Sequence, residues 1–168
     1  MTVKAAFRCD GAGHAEDIDV TGATADDLTR GDGFVWVHLE RPQPETDDWL
    51  TTAGLDQIVM EVLDAPETRP RCTVHGPGIM MNLRGVNLTE GAAPEDMVSL
   101  RLWITGRLVV SVQRRQVRAV SDVADGIRRN AAPEDTGELV ARLALRLADR
   151  AEPVVADLND RSADVATQ

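Results

Sequence analysis

Hydrophobic and polar positions follow a strand-like pattern up to about residue 40 and again over 71–113, and a helical period over 46–63 and after about residue 120. Residues 3–7 read as a strand. Asp10-Gly11-Ala12-Gly13 is the reversal after it, because glycine accepts positive φ and aspartate favours turns. Ile18 and Val20 alternate with Asp17 and Asp19, the pattern of a short return strand with one wet face. Residues 34–39, Phe-Val-Trp-Val-His-Leu, are aromatic and β-branched, bounded by Gly33 and Pro42, and predict a buried strand. A short helix follows over 46–53, with Thr46 as N-cap and Trp49 and Leu50 inward. Leu55, Val59, Val62 and Leu63 line one face of a further helix, which Pro66 and Pro70 end.

Residues 71–75 and 79–87 form a hairpin through Gly76-Pro77-Gly78. A polar loop at 89–95 leads to a second hairpin, 97–104 and 108–113, turning at Thr105-Gly106. Beyond it Ser121 caps a helix through Arg129, with Val123 and Ile127 inward. A longer helix follows Pro133, its core stripe Leu139, Leu143 and Leu147, with Glu138 and Arg142 forming an i,i+4 pair. Glu152-Pro153 interrupts that run, and Val154, Val155 and Leu158 begin another apolar stripe. Strands with helices, then helices, predict an α/β or α+β class with a mixed sheet.

Composition narrows the picture. A chain of 168 residues with 43% apolar positions is one ordinary domain with a real core. No run approaches the ~18 apolar residues of a membrane span, and residues 1–10 lack the basic and apolar segments of an export signal, so a soluble cytoplasmic piece is expected. The formal net charge of −10 argues against nucleic acid as a partner, since phosphate binding shows itself as a basic face. Cys9 and Cys72 have no metal or redox spacing, and no disulfide is expected.

No catalytic set emerges. None of the serines stands in a Gly-x-Ser-x-Gly elbow, neither phosphate-cradling glycine loop is present, and the chain has no tyrosine. An enzyme is therefore not expected. The three histidines, His14, His38 and His75, lie in separate segments. Cys9 and Asp10 with His14 are the one local cluster from which a metal site could start, although their spacing does not recur in zinc sites and further ligands must come from elsewhere. His38, alternating with Val37 and Leu39, reads as a hydrogen-bonded structural histidine, and Cys72 as a small buried residue. Arg84 interrupts an apolar strand and needs a partner if buried.

Three strings stand out in combination: Glu67-Thr68-Arg69-Pro70-Arg71; Asn82-Leu83-Arg84-Gly85-Val86-Asn87-Leu88; and Pro94-Glu95-Asp96-Met97-Val98-Ser99-Leu100-Arg101-Leu102-Trp103. They resemble the soluble N-terminal domain of the zinc-transporting, ZntB-like branch of the CorA-type divalent-cation transporters. Trp36-Val37-His38-Leu39 and Glu152-Pro153-Val154-Val155 fit the same pattern in the same order, so the resemblance runs from about Phe34 onward.

The resemblance implies an α/β/α sandwich around a mixed sheet, with residues 1–150 as a cytoplasmic funnel domain and 151–168 as the start of a long stalk helix. It implies a homopentamer on the cytoplasmic face of the inner membrane, anchored by C-terminal helices missing from this sequence. Zinc would be the transported ion rather than a tightly bound cofactor. Zinc is preferred to magnesium because the three strings match the zinc branch better; a free-standing cytosolic α/β binding domain is the rival reading. Gly85-Val86-Asn87 looks like the family's Gly-Met-Asn pore signature, but it lies in a strand-like context before the stalk, and the pore role is not assigned to it.

Overall fold

The computed structural model of the chain describes residues 3–65, 71–88, 91 and 97–166. In chain order the elements are β1 (Val3–Cys9), β2 (Ala15–Asp17), α1 (Ala25–Thr29), β3 (Phe34–Glu40), α2 (Pro44–Ala53) and α3 (Gln57–Asp64), followed by β4 (Arg71–His75), β5 (Gly78–Val86), β6 (Met97–Ile104), β7 (Leu108–Gln113), α4 (Arg118–Arg128) and α5 (Thr136–Ala166). The strands form one seven-stranded sheet in the order β2-β1-β3-β7-β6-β5-β4. β3 runs parallel to β7, and the other described pairs are antiparallel, so the sheet is mixed.

Each face of the sheet carries its own core. Trp36, Leu100, Leu102 and Val109 pack against Val120, Val123 and Ile127 of α4 and Leu139, Leu143 and Leu147 of α5. Val35, Val37, Trp103 and Val110 face the other way, onto Leu28, Trp49, Leu50, Val59 and Leu63 of α1 to α3. A strand in the middle of such a sandwich is apolar on both sides, which is why β3 reads as an unbroken hydrophobic run. The expected α/β/α sandwich is the observed architecture.

Several local expectations shift. α2 begins at Pro44 with Gln43 as N-cap, because proline suits the first helical turn; Thr46 is inside the helix, donating its hydroxyl to Glu40 O at 2.8 Å. α4 begins before Ser121, at Arg118, where the Gln113 side chain accepts the Val117 N–H at 3.2 Å and Val117, Ala119 and Val120 bury themselves. Leu55 precedes α3, whose cap is Asp56, accepting the Ile58 N–H at 2.8 Å. The return strand is Ala15–Asp17, and Ile18 adds one more backbone bond to Ala6 O at 3.0 Å.

Two further corrections concern an edge strand and the last helix. Cys72 is exposed, because β4 is the sheet's edge and its residues lie outside both cores. Glu152-Pro153 does not interrupt the last helix: α5 is one helix of 31 residues with Pro153 inside it. Proline there removes one N–H and crowds the carbonyl four residues back, and both residues are exposed, so water can take up the freed carbonyl.

Candidate functional site

The feature most distinct from an ordinary sandwich is α5, which is gripped by the sheet along its first half and then leaves it. Its start is set by carboxylates: Asp135 Oδ1 accepts the Glu138 N–H at 2.7 Å, and Glu138 Oε1 accepts from Arg142 Nη2 at 2.7 Å. Leu139 and Leu143 are wholly buried and Leu147 nearly so. Beneath Leu147 lies Gly85 of β5, where a Cβ would stand 2.6 Å from Leu147 Cδ2. A side chain at that position would hold the helix away from the strand.

One turn further on, Asp122 of α4 binds two arginines of α5. Arg150 donates from Nε and Nη2 to the two carboxylate oxygens at 2.5 and 2.7 Å, and Arg146 donates from Nη2 at 3.1 Å. The Arg150 hydrogen bonds foremost, with those of Arg146, hold the Asp122 carboxyl below its ordinary range despite an opposing desolvation contribution. Beyond this clamp the buried stripe stops, and Val155 and Leu158 are 50% and 42% exposed. Asp122, Arg146 and Arg150 belong to no motif in the sequence. The available signal was Arg146 and Arg150 at i,i+4 beside the Leu143 and Leu147 stripe, without any indication of their partner.

The residues of the family-like strings that the structure describes lie mostly on the sheet, some of them beneath α4 and α5. Trp36 is buried, and its indole Nε1 donates to Ser111 Oγ at 2.8 Å; the same hydroxyl lies 2.7 Å from His38 Nδ1. His38 is thus the hydrogen-bonded structural histidine expected. Trp103 packs over Gly78, where a Cβ would lie 2.6 Å from its ring, and meets His75 edge-on at 6.2 Å. Asn82, Asn87 and Arg101 are buried, Arg71 is exposed, Met97 is partly exposed at the start of β6, and Arg84 is half-buried opposite Ser99. Glu67, Thr68, Arg69, Pro70, Pro94, Glu95 and Asp96 lie outside the described residues.

Arg101 sits in a field of charges contributed by separate elements. Arg41 pairs with Asp47 at 2.6 Å and with Asp64 at 2.9 Å, and Arg114 reaches Asp64 Oδ1 at 3.1 Å. Burial first, then Arg114, pull the Arg101 guanidinium below its ordinary value, while Asp64 opposes them. The ends of β3, β7 and α3 are tied together at this point.

Cys9, Asp10 and His14 do not converge on a ligand position. The Cys9 side chain is in the core, and burial, with Asp10 second, pushes its thiol up to about 11. Asp10 Oδ1 is engaged by the Ala12 and His14 N–H groups at 2.7 and 3.1 Å, closing the reversal, and the exposed His14 ring lies 3.5 Å from Oδ2. The alternation of β1 sends Cys9 inward while Asp10 turns out. Among the described residues no group of three or more His, Cys, Asp or Glu side chains is placed to hold a metal ion, and no helix is long and apolar enough to cross a membrane.

Comparison with known proteins adds the remaining findings. The family model described as CorA-like Mg2+ transporter protein matches residues 31–168. The divalent cation transporter CmaX of Pseudomonas aeruginosa is 37% identical over 129 residues, covering 76% of this chain and 39% of that protein. The zinc transport protein ZntB of Yersinia enterocolitica is 29% identical over 160 residues, covering 95% of this chain and 47% of that protein. The chain spans about half the length, or less, of these curated relatives. The structure of the full-length CmaX protein superposes with a TM-score of 0.86 at 32% identity, over 98% of this chain and 51% of that one. The ZntB cytoplasmic domain from Vibrio parahaemolyticus superposes with a TM-score of 0.78 over 95% of this chain and 63% of that one; at 21% identity it speaks to the fold.

Proposed function

The chain belongs to the CorA-like family of metal-ion transporters, and on that premise we propose that it is the cytoplasmic domain of a divalent-cation transporter whose cargo is zinc. Residues 1–150 form the body and 151–168 the start of a stalk that continues toward the inner membrane. Five copies enclose a vestibule, and the domain does no chemistry of its own. The observation that carries this reading is α5: clamped to the body by Leu139, Leu143, Leu147 and Asp122, then running on with Val155 and Leu158 exposed. A helix held so firmly at one end and uncovered at the other suits the transfer of position between a body and something beyond it.

The net charge of −10 supports a vestibule that draws cations in, a long-range effect that salt screens over roughly 8 Å under physiological conditions. Zinc is supported over magnesium by the ZntB relatives, while CmaX is named for divalent cations in general and the family description names magnesium; cation competition decides between them. The domain holds no resident cofactor in this reading, and its partners are further copies of itself and the membrane.

Assembly and location are tested on the intact protein that carries this domain. Made in a Cys72→Ser background with Leu158→Cys, it should sediment with membranes and give bismaleimide-linked dimers, the limit for one reactive thiol per copy, while light scattering of the detergent-solubilised protein should read five copies. A product that stays in the soluble fraction as a monomer would contradict the reading.

A further inference from the structure

Five adjacent strands each bring an arginine to one end of the sheet face that carries α1 to α3: Arg41 and Arg114 just past β3 and β7, then Arg101, Arg84 and Arg71 of β6, β5 and β4. The two-residue repeat of a strand puts Arg101 on the side of Trp103 and Arg84 on that of Met80, and Arg71 stands opposite Asn82. Such a row of guanidinium groups stands out in a chain of net charge −10. Asp47 and Asp64 pair with Arg41, and Asp64 with Arg114. Arg84 differs. Its Nε is buried without a hydrogen-bond partner, and among the described residues it has no ion-pair partner. Ser99, directly opposite on β6, has its Oγ buried in the same condition.

The sequence already marked Arg84 as a charge in an apolar strand that needs a partner if buried. A guanidinium N–H can only donate, and a hydroxyl can donate beside it, so an acceptor completes this place. Two apolar side chains would fill the same space without the cost of unmet hydrogen bonds, so packing alone does not account for the pair. The register, with Leu100 opposite Gln113, carries the row from Ser99 on to Arg114, whose side chain is 39% exposed. Burial first, then Arg114, pull the Arg101 guanidinium down, and an anion held between these strands would relieve that repulsion. A carboxylate offers two oxygens in one plane, whereas donors drawn from three strands suit a tetrahedral, multiply charged group. We propose that Arg84 and Ser99, with Arg114 beside them, bind a phosphate group, either the free ion or a small monoester. The site is independent of the transport reading and would hold in a protein that moved no ion at all.

The test is calorimetric titration of the purified chain with inorganic phosphate and, separately, with glycerol phosphate at physiological ionic strength, circular dichroism checking each variant's fold. Arg84→Gln should weaken binding about tenfold or more, the loss of a charge-assisted contact. Ser99→Ala should weaken it about threefold, yet leave the free chain at least as stable in urea, because a buried hydroxyl without a partner is removed. A purely structural hydroxyl would do the reverse, lowering stability and leaving affinity unchanged. Arg161→Gln removes an exposed charge from the far end of α5 and should change the affinity by less than about twofold. Binding of glycerol phosphate as tight as inorganic phosphate, or tighter, would assign an ester; binding of inorganic phosphate alone would assign the free ion. Either upholds the site. Absence of phosphate binding by the wild-type chain up to about 10 mM would overturn it. Equal losses in Arg84→Gln and Arg161→Gln, or displacement of phosphate by acetate at matched ionic strength, would overturn it as well.

Discussion

Gly85 of β5 and Leu147 of α5 are so close that a β-carbon on the glycine would stand 2.6 Å from Leu147 Cδ2. This contact gives Gly85 a packing role, in a triplet whose letters resemble a pore signature. It also lets the last buried leucine of α5 seat directly on the strand. Gly85→Val should cost about 1–3 kcal/mol through overpacking. Adding Leu147→Ala should recover part of that loss, so the two changes will be non-additive in a urea-unfolding cycle. Strict additivity would mean that the contact does not set the position of the helix.

The Asp122 clamp should be felt as stability with a particular pH dependence. Asp122→Asn keeps the shape but weakens the charge-assisted bonds from Arg150 and Arg146, and a partly exposed clamp of this kind contributes about 1–2 kcal/mol. The native carboxyl lies below its ordinary value, so its contribution is fully present above the unfolded-state value and fades as pH falls through the native one. The gap between wild type and variant should therefore be flat from about pH 6 to 8 and close in acid. Hydrogen exchange should show residues 143–150 less protected in the variant; a gap that widened in acid would contradict the assignment.

The two thiols should differ sharply. Cys72 is exposed on the edge strand, whereas Cys9 is buried with its thiol raised to about 11. A disulfide reagent at neutral pH should modify one thiol quickly in the native chain and the second only on unfolding. Cys72→Ser should abolish the fast phase. Rapid modification of both would show that β1 is not held in the core as described.

What was legible in advance follows from the range of the interaction concerned. The Phe34–Glu40 strand and the Leu139, Leu143, Leu147 stripe are periodic patterns, and periodicity survives whatever packs against it. The turn at Gly76 was readable because its φ of +54° is a local demand. Thr46 and Ser121 misled because good capping residues stand near helix starts set by other forces, a proline in one case and burial of Val117 and Val120 in the other. The exposure of Cys72 depends on β4 being an edge strand, which only the strand order decides. The Asp122 clamp joins residues 24 and 28 positions apart, and no local pattern names such partners.

Ion movement by the intact protein that carries this domain tests the transporter reading most directly. Reconstituted into liposomes loaded with a zinc-sensitive dye, it should admit zinc at a rate well above empty liposomes, with magnesium competing weakly. Entry of magnesium in preference to zinc would keep the transporter and overturn its cargo. Liposomes that admitted no divalent cation faster than the empty control would contradict a transporter.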